Sequence, residues 1–92
     1  MKKILVAAGT SQNKMNGVAG TIQTMCEARG VAVEVVAENL YEVDLDQVAP
    51  DLIVLMGVNQ FQTEIPTVSG VPFLTKMGMD QAIEDIIRRL QN

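Results

Sequence analysis

The chain has no histidine and no tryptophan, one cysteine, one tyrosine and two phenylalanines. Each scarcity excludes something. Without histidine, and with Cys26 alone, no clustered donor set for a transition metal is available, and no cofactor is expected. The side chain best suited to act as a base near neutral pH is missing as well. A single cysteine excludes an internal disulfide and fits the reducing cytoplasm, the expected location. Long apolar runs are also absent. None approaches the roughly 18 residues of a membrane span, and the run after Lys2-Lys3 is too short for a signal peptide, so no direct membrane insertion is expected. Basic residues are outnumbered 7 to 11, for a net charge of −4. Nothing here would displace counterions from a phosphate backbone, and nucleic acid is not an expected partner.

What is present is an aliphatic core. Hydrophobic residues make up 48% of 92 positions, enough for one domain over residues 1–92 with one core of Val, Ile, Leu, Ala and Met. The six methionines suit core filling.

The pattern alternates between strand and helix. Lys3 to Ala7 is continuously apolar, as a strand buried on both faces should be. Helical spacing puts Val18, Ile22, Met25 and Cys26 on one face of a helix from about Gly17 to Arg29. Gly30 suits the left-handed position past its end. Val31 to Val36 is rich in β-branched residues and reads as the second strand. Leu40, Val43 and Val48 fit a short helix between Glu38 and Ala49 that Pro50 stops. Leu52 to Met56 is the third strand. A fourth is expected around Val71 to Leu74, where Pro72 suits a sheet edge. Asp80 is the expected N-cap of a last helix, Gln81 to Leu90, with Ala82, Ile83, Ile86, Ile87 and Leu90 inward. Glu84–Arg88 and Asp85–Arg89 pair at i,i+4 on its outer side.

Strands alternating with helices predict an α/β, three-layer, flavodoxin-like (Rossmann-type) domain with helices on both faces of a four-stranded parallel sheet. In the order 2-1-3-4, the loop after the first strand lies at the switch point where such sheets bind ligands. That loop is Gly9, Thr10, Ser11, Gln12, Asn13, Lys14, Met15 and Asn16, with Gly57-Val58-Asn59-Gln60 beside it. Orphan N–H groups and the positive end of the helix dipole converge there, which suits a phosphate. Lys14 is the loop's only cation.

The residues also suggest a family. Lys2-Lys3-Ile4-Leu5-Val6-Ala7, a loop opening on Gly9, and a helix carrying Cys26 resemble the IIB components of the sugar phosphotransferase system. Ile65 to Leu74 and the final helix are similar to its galactitol branch, and the resemblance spans the whole chain. It implies a phosphoryl carrier. A cysteine directly after the first strand takes phosphate from a histidine of a IIA protein, then passes it to sugar bound in a membrane IIC permease. A helix N-terminus lowers the thiol pKa and holds the thiophosphate.

Here that cysteine's position is Ala8, and a methyl group accepts no phosphoryl group. Cys26, three turns into the helix, reads as a buried core residue. Thr10 and Ser11 lack a histidine base and read as hydrogen-bonding loop residues. Two readings stay open: a IIB component whose acceptor is absent, naturally or by replacement, and a noncatalytic regulatory or anion-binding module keeping the fold and loop.

Overall fold

A computed structural model describes residues 1–9, 12–57 and 63–91. Four parallel strands, β1 (Lys2–Ala8), β2 (Val33–Asn39), β3 (Leu52–Met56) and β4 (Thr67–Ser69), form one sheet in the order β2-β1-β3-β4. The expected α/β architecture and strand order are both present. Helix α1 (Gln12–Ala28) joins β1 to β2, the one-turn α2 (Leu45–Val48) lies between β2 and β3, and α3 (Val71–Thr75) and α4 (Met79–Gln91) follow β4.

The apolar strands alternate between two cores because both faces are covered. Ile4, Val6, Ala8, Leu52, Val54 and Met56 share one cluster with α1, α3 and α4. Leu5, Ala7, Ile53 and Leu55 lie on the other face under Leu40, Val43, Leu45, Val48 and Ile65. The inner face of α1 is Met15, Val18, Ala19, Ile22 and Cys26, with Met25 half-buried beside them. In α4, Ile83, Ile86 and Leu90 are buried, and Ala82 and Ile87 pack against the same cluster.

Several boundaries differ from the sequence pattern, each for a physical reason. Helix α1 begins at Gln12 rather than near Gly17. Gln12 donates to Asn16 Oδ1 at 3.1 Å one turn on, and Met15 is anchored in the core at 1% exposure. At its other end, Gly30 at φ +76 closes the helix. The Gly30 N–H reaches the Glu27 carbonyl at 3.0 Å and the Val31 N–H the Cys26 carbonyl at 2.9 Å, the paired bonds of a Schellman closure. That closure uses Val31, so strand pairing starts later, with Val33 opposite Lys2. The expected second strand at 31–36 is therefore 33–39.

The fourth strand is Thr67–Ser69 rather than Val71 to Leu74. Thr67 and Val68 register against Ile53 and Val54, and Gly70 still donates to the Leu55 carbonyl at 2.9 Å. Pro72 then sits in the first turn of α3, where a missing N–H leaves nothing unpaired. Between Glu38 and Ala49 only one turn is helical. Asp44 Oδ1 caps it by accepting the Asp46 and Gln47 N–H groups at 3.0 and 3.4 Å, and Ala49 leaves it in the left-handed region before Pro50. In α4, the Gly78 carbonyl accepts from Ala82 N–H at 3.1 Å, so Asp80 lies inside the first turn and is not the cap. It faces Arg29 at 3.4 Å instead. Arg88 pairs with Asp85 at 2.7 Å, alongside the expected Asp85–Arg89 pair at 3.1 Å. The two guanidiniums hold the partly exposed Asp85 carboxyl below its ordinary value.

Candidate functional site

Strand β1 is central, and the chain leaves it toward β2 while β3 lies on its other side. The crevice at the carboxyl ends of β1 and β3 is thus the switch point of the sheet. Ala8 ends β1 there, in register with Asn39 of β2 and Met56 of β3. Its methyl is 0% exposed and belongs to the cluster that contains Met15 and Met56. Its carbonyl accepts from Leu40 N–H at 3.0 Å. Position 8 is therefore packed hydrocarbon within the core at this end of the sheet.

The segment from Gly9 to Asn16 is divided by the early start of α1. Gly9 is exposed, Thr10 and Ser11 lie outside the described residues, and Gln12 to Asn16 are helical. Gln12, Asn13, Lys14 and Asn16 are on the exposed side of the first turns, while Met15 turns into the core. The loop proper is thus shorter than the pattern implied, and the helix N-terminus begins only four positions after Ala8. Backbone N–H groups of a first helical turn have no intrahelical partner. No acidic residue stands in that turn of α1, so no carboxylate of the turn itself offsets the positive end of the dipole. Gln12 also reaches the Ala37 carbonyl of β2 at 3.4 Å, which ties the helix start to the sheet edge. Of the flanking segment, Gly57 leaves β3 at φ +139, and Val58, Asn59 and Gln60 are outside the described residues.

One contributor was not legible in the residue pattern. The Tyr41 ring lies over Gly9, so that a Cβ at Gly9 would stand 2.7 Å from Tyr41 Cε2. Tyr41 is itself 67% exposed. It is aimed by Asn39, whose Oδ1 accepts the Tyr41 N–H at 2.8 Å while its carbonyl accepts from Glu42 and Val43. The available signal was a turn-forming Asn at the end of a strand next to β1, but only the β1–β2 register brings Tyr41 beside Gly9.

Cys26 lies well away from this end, in the last turns of α1, and is fully buried. Burial pushes its thiol up, opposed by Arg29 and reinforced by Glu27. It is a core residue, as expected. Among the described residues, no group of three or more His, Cys, Asp and Glu side chains could hold a metal ion. No helix among them is long and apolar enough to cross a membrane.

No family model matches the chain. It is 32% identical over 90 residues to a protein of Escherichia coli (strain K12) described as "Putative phosphotransferase enzyme IIB component SgcB". That alignment covers 98% of this chain and 97% of the relative.

Proposed function

The chain belongs to the IIB components of the phosphotransferase system, and from that premise we propose that it is a cytoplasmic, galactitol-like member whose phosphoryl-acceptor position is Ala8. In the carrier chemistry that the family implies, a thiolate at the end of the first strand attacks the phosphorus of a phosphohistidine on the IIA partner. The P–N bond breaks as the S–P bond forms. A sugar hydroxyl bound by the IIC permease then takes the phosphoryl group, and the thiolate leaves. The supporting geometry is β1 ending at Ala8 and α1 beginning at Gln12, a strand end and helix amino terminus of the kind where a thiolate and then a thiophosphate would be stabilised.

The observation that carries the reading is Ala8 itself. It occupies the last position of the central strand and has no lone pair to offer. The chain also has no histidine to activate a hydroxyl in its place. This chain is therefore expected to keep the carrier's fold and partner surfaces without carrying phosphate.

Intact-mass measurement after incubation with a phosphorylated IIA protein tests this. The expected result is no added phosphoryl group on this chain and one on an Ala8→Cys variant. A phosphate on the unaltered chain overturns the reading. If the Ala8→Cys variant folds but neither binds the IIA protein nor takes phosphate, the noncatalytic regulatory or anion-binding module replaces it. That second reading draws on the first turn of α1, whose N–H groups and dipole do not depend on a nucleophile.

A further inference from the structure

Beside the carboxyl end of β3, α1 and α3 enclose a cleft of about 610 Å³, within the size range of small-ligand sites. Its floor is Val18, Met56 and Phe73, and none of its described lining residues is acidic. Val71 and Leu74, at 50% and 46% exposure, leave apolar surface in water at its rim. Lys14 and Lys76 line the same cleft.

Three features bear on what the cleft can hold. Gly17 forms part of its wall in the interior of α1, where glycine weakens a helix relative to alanine. A Cβ built there meets nothing within 4 Å, so packing does not demand glycine, and its effect is to keep the wall open. Lys76 closes α3 in the left-handed region at φ +60, a common helix ending, and this turn sets it in the lining of the cleft. The third feature is charge. The chain carries −4 overall, yet two of its seven basic residues line this one cleft.

We propose that this cleft binds a small organic phosphate with an apolar body. The body lies on Val18, Met56 and Phe73, and the dianionic head sits at the mouth beside Lys14 and Lys76. Apolar walls supply the contact area, and two ammonium groups match two negative charges and set orientation. The site stands apart from the phosphoryl-carrier reading, because it requires neither a nucleophile at position 8 nor a IIA partner.

Backbone amide NMR titrations at constant ionic strength test it, with phenyl phosphate, inorganic phosphate and phenol as separate probes. Phenyl phosphate should give saturable shifts centred on Gly17, Thr21, Gly57 and Leu74, with affinity about tenfold above that of either other probe. Gly17→Leu should fill the cleft from the helix wall and weaken phenyl phosphate about tenfold without lowering the melting temperature. Lys76→Gly, which suits the left-handed backbone, should weaken phenyl phosphate severalfold and leave phenol unchanged. Equal affinity for inorganic phosphate or for phenol overturns the proposal. So do shifts centred on Gly9 and Gln12, or no saturable response. Unaltered binding by Gly17→Leu also overturns it, and if that variant melts earlier, unaltered binding by Lys76→Gly does so instead.

Discussion

Two glycines of this chain should respond to the same substitution with opposite signs. Gly70 is buried between β4 and α3 at φ −93, a backbone that alanine adopts freely, so conformation does not forbid a side chain there. Space does. An added Cβ would stand 2.5 Å from Met56 Cγ and 3.0 Å from Val54 Cγ1, whereas carbon atoms settle at roughly 3.5 to 4.0 Å. Cγ lies near the root of the Met56 side chain, so swinging the flexible thioether end does not clear it, and Val54 is β-branched and stiff about χ1. Overpacking of this kind costs about 1 to 3 kcal/mol. Restricting the unfolded chain returns about 0.4 to 1 kcal/mol. Gly70→Ala should therefore lose about 1 to 2 kcal/mol, or roughly 5 to 15 °C in Tm for a domain of this size. Gly17→Ala meets open space in a helix and should gain about 0.5 to 1 kcal/mol. Urea denaturation followed by circular dichroism, with unchanged m, measures both. Gly70→Ala as stable as the parent would mean that β3 and α3 yield more easily than their packing indicates.

Gly30→Ala should destabilise by about 1 to 2 kcal/mol, because φ +76 in the Schellman closure penalises a Cβ even where space is open; equal thermal melts would contradict this. Cys26, its thiol raised chiefly by burial and also by Glu27 against Arg29, should resist alkylation in the native state. A raised native pKa means that its contribution to stability is complete below the unfolded thiol value, about 8.5, and is lost as pH rises through the native value. Denaturation midpoints should fall above about pH 8.5, and Cys26→Ala should flatten that limb of the profile. A limb unchanged in the variant would assign it to other groups.

Much of the architecture followed from one-dimensional pattern. The runs Ile4–Ala7 and Leu52–Met56 are apolar at every position because both faces of the sheet are covered, and a run of that kind is visible without coordinates. The inner faces of α1 and α4 obey helical periodicity, and Gly30 ends α1 through a local backbone preference. These features depend on neighbours along the chain, so residue order suffices to reveal them. The run Ile4–Ala7 places Ala8 directly after the first strand, whereas its pairing with Asn39 and Met56 makes it the last residue of β1.

Other features depend on what lies across space. Gln12 to Asn16 are polar except for Met15 and read as a loop, but burial of Met15 and the Gln12 bonds to Asn16 and Ala37 make them helix. Pro72 is compatible with a sheet edge and with a first helical turn. Pairing of Thr67 to Ser69 with β3 used the strand positions first and left Val71 to Thr75 to form α3. Tyr41 reaches Gly9 only because β1 and β2 pair with Ala8 opposite Asn39. Lys14 and Lys76, 62 positions apart, line one cleft only because α1 and α3 pack on the same face of the sheet. Each outcome was a choice between locally acceptable conformations, and long-range packing and register decided it.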